Sequence, residues 1–296
     1  MALSTRHRTG HYAPGTKHPG RILVRMPWDI DAEVIGNRRL TADYNVVSLA
    51  APEIAAATEP GQFVMVKPGH GWDPLLRRPF SVFEILRDSS GAPSGVSILS
   101  KRIGVTTRAL FDVEPGDRVQ CLGPLGRPFT LPEADTEVWM VAGGVGLAPF
   151  VTVTEALAPK GVPLTLFYGG RSEADLFHLD FFARHRVRVV LATEDGSKGE
   201  SGRVTLPLER ALGALAPSAK VLLHACGPER MLAAVARLAE QHGRPCEVSV
   251  ERVMGCGLGG CYSCVVPVKQ PGGGFHHVRS CIGGPVFDAS TLVWEW

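Results

Sequence analysis

The chain has 296 residues, 45% hydrophobic and 20% charged, with a net charge of +2. That is enough polypeptide for two domains and a small appendage, and the composition is that of an ordinary globular protein. The near-neutral charge leaves no basic footprint for nucleic acid. No apolar run reaches membrane-spanning length, and no signal-peptide core follows the N-terminus. Three of the seven cysteines, Cys121, Cys226 and Cys246, are scattered without framework spacing, which suits a reducing cytoplasm.

In chain order, residues 1–28 carry Arg6, Arg8, Lys17, Arg21 and Arg25, three histidines and no acid. Without apolar periodicity, this predicts a flexible arm over residues 1–31. From 32 to 131 the pattern is short and beta-like. Val34–Leu40, Asn45–Ala50, Gln62–Val66, Phe80–Leu86, Val96–Ser100 and Arg118–Leu122 alternate or run apolar, separated by turns such as Glu59-Pro60-Gly61. Short strands at this spacing predict an antiparallel barrel, with one helix over Thr106–Phe111.

From 132 to 250 strand and helix alternate. Strands are expected at Val138–Ala142, Leu164–Tyr168, Val187–Ala192, Val221–His224 and Cys246–Val250. Between the last two, Glu229–Gln241 places Met231, Leu232, Val235 and Leu238 on one helical face. This predicts a doubly wound parallel sheet, with ligands at the carboxyl ends of its strands. Residues 251–296 form a cysteine-bearing segment.

Five stretches carry chemistry. Arg77-Arg78-Pro79-Phe80-Ser81 opens a barrel strand, where an arginine can clamp a diphosphate; alone, it is also common strand grammar. Leu99-Ser100-Lys101 leads into a helix start with Thr106 or Thr107 as N-cap, an anion site or simply a capped helix. Gly143-Gly144-Val145-Gly146 occupies the first strand-to-helix turn of the sheet, where glycines let a phosphate approach backbone N–H groups. Cys226-Gly227-Pro228 follows the fourth strand, where a nicotinamide could lie, although a buried small residue would read the same. Arg171-Ser172 could meet a 2′-phosphate or remain solvated, and Thr193-Glu194-Asp195-Gly196 reads as a turn.

The last stretch is Cys256-x4-Cys261-x2-Cys264, followed by Cys281 after sixteen intervening residues. This spacing fits plant-type ligation of a [2Fe–2S] cluster. Zinc usually shows paired C-x2-C knuckles, and only one is present here; disulfides are the remaining alternative.

The order Arg-Pro-Phe-Ser, Gly-Val-Thr-Thr, Gly-Gly-Val-Gly-Leu-Ala-Pro, Cys-Gly-Pro-x-x-Met and C-x4-C-x2-C…C resembles the ferredoxin–NADP reductase superfamily. Within it, the chain is similar to the iron–sulfur electron-transfer subunits of heteromeric dihydroorotate dehydrogenases, over about residues 32–290. Glu251-Arg252-x-Met254-x-Cys256-Gly257 with Cys281-Ile282-Gly283-Gly284-Pro285 is the most specific part. The resemblance implies FAD on Arg78, Pro79, Phe80, Ser81, Leu99, Ser100, Lys101, Thr106 and Thr107. It implies NAD(H) or NADP(H) at Gly143, Gly144, Gly146, Cys226, Gly227 and Pro228, and a [2Fe–2S] cluster on Cys256, Cys261, Cys264 and Cys281. Two positions depart from the superfamily: Phe80 stands where Tyr is frequent, and Thr106 where Gly is usual.

The implied activity is NADH oxidation through FAD and the cluster to a partner flavoprotein, an FMN-containing dihydroorotate dehydrogenase, in a hetero-oligomer. The chain has no room for a (β/α)8 barrel of about 250 residues, so dihydroorotate chemistry would belong to that partner. One alternative is an NAD(P)H:acceptor subunit of a ferredoxin-, hydrogenase- or sulfur-linked complex. Another is a non-catalytic, zinc-containing binding or redox-sensing module.

Overall fold

The computed structural model describes residues 26–294, so the basic arm up to residue 25 lies outside the described residues. The first strand, β1 (Trp28–Arg39), begins four residues before the expected domain start at 32. It buries Ala32 and Val34 and exposes the residues beside them, the period-two signature of a half-buried strand. Next come β2 (Tyr44–Ala50), α1 (Pro52–Ala57), β3 (Phe63–Pro68), β4 (Arg78–Arg87), β5 (Pro93–Lys101), α2 (Val105–Asp112) and β6 (Arg118–Leu125). The six strands close in the order β1-β2-β5-β4-β3-β6, and β6 returns antiparallel to β1. Helix α1, which the sequence did not signal, is only six residues long; it buries Ile54 and Ala55 in the barrel core.

The second unit contains β7 (Glu137–Gly143), α3 (Ala148–Leu157), β8 (Leu164–Gly170), α4 (Leu179–Arg184), β9 (Arg188–Thr193), β10 (Glu200–Ser201), α5 (Thr205–Gly213), β11 (Val221–Cys226), α6 (Glu229–Gln241) and β12 (Cys246–Ser249). Its sheet runs β10-β9-β8-β7-β11-β12, all parallel. Helix α6 spans the expected residues and buries Leu232, Val235 and Leu238, while Met231 is only partly covered. The strand order reverses between β7 and β11, which opens the crevice where such folds bind ligands.

The cysteine segment continues as β13 (Val265–Lys269), β14 (Phe275–Arg279), α7 (Ser280–Gly283) and β15 (Val286–Asp288). Strand β15 pairs antiparallel with β12 and becomes the seventh strand of the sheet, so this segment is built into its neighbour. No helix among the described residues is long and apolar enough to cross a membrane.

Apolar side chains fill each seam. Val46, Phe83 and Leu99 of the barrel share a core with Phe150, Val151 and Phe182 of the sheet unit. Val266, Phe287 and Leu292 share another with α5 and α6. A polar lock crosses the first seam: the Tyr44 hydroxyl donates to Asp175 at 2.7 Å, and Arg171 donates to the same carboxylate through Nε at 2.8 Å and Nη2 at 3.0 Å. The Arg171 guanidinium holds Asp175 well below the usual carboxylate range, and burial raises Tyr44. A depressed carboxylate contributes stability above its unfolded value of about 3.9, and that contribution is lost as pH falls below it.

Replacing Tyr44 with Phe removes one donor to a buried carboxylate. It is expected to cost about 1–3 kcal/mol, read as a lower urea midpoint at neutral pH with unchanged slope. An unchanged midpoint would show that the lock does not hold the two units together.

Candidate functional site

Strands β4 and β5 are antiparallel neighbours, with Val82 opposite Ile98. That pairing sets Arg78–Ser81 beside Leu99–Lys101 at one end of the barrel, and α2 starts from the same end. The two adjacent arginines differ. Arg77 is bidentate to Asp29, at 2.7 and 3.1 Å, whereas Arg78 reaches only the carbonyls of Leu76 and Arg77 and has no carboxylate partner among the described residues. Ser100 is 1% exposed, and its hydroxyl has no hydrogen-bond partner. Lys101 lies over the Tyr44 ring at 5.0 Å.

Leu99 is buried in the core shared with the sheet unit. Pro79, Phe80 and Ser81 are half-buried. Phe80 packs against the barrel interior, so the hydroxyl of Ser81, its strand neighbour, leaves from the opposite face.

The helix cap differs from the sequence reading. Gly104 is the N-cap of α2, in extended backbone at φ −140° and ψ −177°. The Thr107 hydroxyl reaches back to accept the N–H groups of Ile103 and Gly104, each at 2.9 Å. A side chain three positions into a helix can satisfy the donors before it, as in a capping box. Thr106 is buried. A Cβ at Gly104 would meet nothing within 4 Å, so the backbone at this turn is open on that side. An arginine without an acid partner, an orphaned buried hydroxyl and a helix N-terminus together match the needs of a diphosphate, and they fit FAD.

At the sheet, Ala142 of β7 and Cys226 of β11 lie opposite one another in register. The turn Gly143–Gly146 and the turn Cys226–Pro228 therefore meet at the strand switch. The packing requires glycine: a Cβ on Gly146 would collide with the Cys226 carbonyl, and one on Gly143 would lie 2.8 Å from Pro228. Gly144 has φ +55° and nothing within 4 Å of an added Cβ. This cradle, open only at Gly144, fits a dinucleotide phosphate.

Cys226 is 3% exposed, and burial pushes its thiol up. Ser249 lies opposite it on β12 and opposes that rise, an effect the sequence did not reveal. Arg171 pairs with Asp175, yet its side chain remains 69% exposed, as the solvated reading of the sequence allowed. Residues Thr193–Gly196 form the expected turn, closed by Gly196 N–H to the Thr193 carbonyl at 3.0 Å.

The four motif cysteines meet as two pairs. The Cys261 thiol is within hydrogen-bonding reach of Cys256, and the Cys281 thiol within reach of Cys264. Ser263, at 3.2 Å, leads the interactions that bring Cys261 down to about 6, whereas burial first and Cys264 second push Cys281 up to about 12. Cys264 and Cys281 are 2% and 1% exposed and pack on Phe63, Met65, Leu122 and Leu125. Cys256 is half-buried and Cys261 is exposed.

Among the described residues no three His, Cys, Asp or Glu side chains converge on a single metal-ion position. Two thiol pairs, each able to serve one iron, fit a [2Fe–2S] cluster. Ser263 also accepts the Gly255 N–H at 3.0 Å, and the Cys256 sulfur accepts the Leu258 N–H at 3.4 Å. The glycine turn Pro271–Gly274 is exposed, whereas Gly284-Pro285 is buried within the chain: the Gly284 carbonyl accepts the Arg127 N–H at 2.6 Å.

The profile of the iron–sulfur cluster binding domain of dihydroorotate dehydrogenase B matches residues 251–293, and that of an oxidoreductase NAD-binding domain matches residues 140–237. The chain is 36% identical over 266 residues to the dihydroorotate dehydrogenase B (NAD(+)), electron transfer subunit, of Desulforamulus reducens, covering 90% of this chain and 98% of that one. This chain belongs to the family of dihydroorotate dehydrogenase B electron transfer subunits. A second relative of that name, from Geobacillus kaustophilus, is 37% identical over 264 residues, 88% of this chain and 96% of its own.

Among solved structures, an NADH-dependent reduced ferredoxin–NADP oxidoreductase, described for flavin-based electron bifurcation, superposes with TM-score 0.76 at 26% identity. It covers 90% of both chains. A ferredoxin–NADP+ reductase of Neisseria gonorrhoeae with bound FAD and NADP shares the fold at TM-score 0.60 and 19% identity, covering 73% of this chain and 92% of that one.

Membership of the electron transfer subunit family removes the reading as a non-catalytic zinc module. For the barrel site, Arg78→Ala is expected to release flavin while leaving the Arg77–Asp29 pair and the fold intact. The check is flavin absorbance per chain after gel filtration, with far-UV circular dichroism as the folding control. Full flavin retention would remove Arg78 from the site.

Proposed function

We propose that this chain is the electron-transfer subunit of a heteromeric dihydroorotate dehydrogenase. It would carry electrons between NADH and an FMN-containing catalytic subunit by way of bound FAD and one [2Fe–2S] cluster. The observation that carries the reading is the placement of the three sites: barrel mouth, strand switch and paired cysteines are joined through shared cores in one chain. When bound, the cofactors supply the chemistry, FAD exchanging a hydride on one side and single electrons with the cluster on the other.

The protein's part is to bind and to orient. Arg78, the α2 N-terminus with Thr106 and Thr107, and the Leu99–Lys101 strand end would hold the diphosphate side of FAD, with Pro79, Phe80 and Ser81 beside the ring system. Gly143, Gly144 and Gly146 would admit the dinucleotide phosphates to backbone N–H groups, with Cys226, Gly227 and Pro228 flanking the nicotinamide. Cys256, Cys261, Cys264 and Cys281 would hold the cluster. We divide the chain at 32–131, 132–250 and 251–296, with β1 reaching back to Trp28 and β15 reaching across into the sheet.

NADH is favoured over NADPH because Arg171, the cation nearest the expected 2′-phosphate position in sequence, already faces Asp175. Around the more exposed thiols, Leu258, Tyr262 and Ile282 are 56%, 61% and 48% exposed. Apolar groups clustered beside a redox site suit burial against a partner subunit in a hetero-oligomer. Three buried thiols without disulfide partners, Cys121, Cys226 and Cys246, favour a cytoplasmic location. The likeness to the bifurcating ferredoxin–NADP oxidoreductase supports a second reading, in which the same sites serve a ferredoxin-linked acceptor.

Two variants separate the halves of the mechanism. Cys261→Ser is expected to abolish NADH-dependent reduction of the co-purified catalytic subunit's flavin, yet leave stopped-flow bleaching of this chain's own flavin largely intact. Gly144→Val places a β-branched residue at φ +55°, where it is strained. It should raise the NADH concentration needed for bleaching at least tenfold and leave the iron content unchanged. A flavin-loaded Cys261→Ser protein that reduced the partner normally would remove the cluster from the electron path. Tight association with a ferredoxin-linked subunit instead of a dihydroorotate-oxidising one would select the second reading.

A further inference from the structure

We propose that Arg279 sets the reduction potential of the cluster, acting as a fixed positive charge and as the clamp of the ligand loop. The proposal rests on the assignment of the four cysteines to a [2Fe–2S] cluster. Arg279 ends β14, directly before the single turn α7 that carries Cys281. Its half-buried side chain folds back over the other three ligands' loop. Nη1 donates to the Gly259 carbonyl at 2.6 Å, and the guanidinium lies 4.6 Å from the Tyr262 ring centroid.

Tyr262, between Cys261 and Cys264, has φ +58°, a left-handed conformation that strains a tyrosine backbone. The cation–π contact with Arg279 helps to offset that strain. In the same loop, one residue before Gly259, the Leu258 N–H donates to the Cys256 sulfur at 3.4 Å. The arginine's grip on the Gly259 carbonyl thus holds the loop from which a backbone N–H reaches a ligand sulfur. The φ of +80° at Gly259 demands glycine, and a Cβ there would crowd Ile282 at 3.0 Å.

The charge is uncompensated. Arg77, Arg102, Arg171, Arg210 and Arg252 each pair with a carboxylate, whereas Arg279 pairs with none among the described residues. A cluster on four thiolates is anionic and gains one further negative charge on reduction. Potentials of such clusters follow net charge and hydrogen bonds to sulfur. A cation held at the ligand loop stabilises the reduced state more than the oxidised one, and so does an N–H fixed toward a ligand sulfur. Arg279 contributes to both terms, through its own charge and through the geometry of this loop.

The test is potentiometric titration of the full-length, flavin-loaded protein, with the cluster followed by electron paramagnetic resonance. Arg279→Gln is expected to lower the reduced-to-oxidised ratio at the wild-type midpoint about tenfold, a shift of 59 mV to more negative potential for one electron. Arg279→Lys keeps the charge and should recover most of that shift. An iron-replete Arg279→Gln protein with the wild-type midpoint would overturn the proposal. Equal shifts in the Gln and Lys variants would overturn the charge role and leave only packing. Should the Gln variant fail to hold iron, Tyr262→Leu carries the test: it leaves the charge but removes the ring that fixes it. A smaller negative shift supports the proposal, and a wild-type value counts against it. Iron and sulfide assays on the wild-type protein come first. Their failure would strike the cluster assignment itself, a result distinct from an unmoved potential.

Discussion

Three backbone contacts of Gly284-Pro285-Val286 hold the molecule in one arrangement. The Gly284 carbonyl accepts from Arg127, just beyond the last barrel strand; the Pro285 carbonyl accepts from Val250, just beyond the last parallel strand; and Val286 pairs with Ser249. Cys281 lies on the turn immediately before this stretch. The approach is close enough that a Cβ on Gly126 would collide with the Pro285 ring. One ligand of the cysteine site is therefore fixed to the barrel and to the sheet by main-chain hydrogen bonds. Side-chain repacking cannot easily loosen such bonds, because unpaired buried backbone groups are costly.

The sites were legible where their chemistry is local. The first three cysteines of the motif, the glycines at a strand-to-helix turn and an arginine at a strand start each lie within about ten residues, and the sequence pointed to them directly. What was not legible depends on partners distant in sequence. Asp175 looked like one acid among many, yet it is shared by Tyr44 on the barrel and Arg171 on the sheet unit. Val286–Asp288 is too short to announce itself as a strand, and only its pairing with β12 makes it one. The capping residue of α2 was misplaced because a threonine three positions in does the work that is usually done by the cap's own side chain, leaving the cap as Gly104. Helix α1 carries one turn and a half of apolar residues, less than a periodicity argument can resolve.

Strand β3 links the two proposed redox sites. Its ladder partners on β4 include Ser81 opposite Phe63 and Pro79 opposite Met65. The side chains of Phe63 and Met65 also form the floor under Cys264 and Cys281, and a Cβ on Gly257 would meet Met65 at 2.6 Å. The same two residues therefore pair through their backbone with the proposed flavin-binding strand and pack through their side chains on the buried thiol pair.

This makes the cysteine loop two-sided. The buried pair rests on an apolar floor continuous with the barrel mouth, where low polarity and tight packing fix the distance between the sites. The other pair, Cys256 and Cys261, faces outward among Leu258, Tyr262 and Ile282. A carrier that accepts electrons from inside its own chain and passes them to another chain needs this polarity of burial. If both pairs were buried, the acceptor would be kept at a distance. If both were exposed, the spacing to the flavin would depend on a mobile loop. The glycines reconcile the two demands: Gly257 and Gly259, both at positive φ, let one short loop turn from the barrel floor to the surface and back between its first and third cysteines.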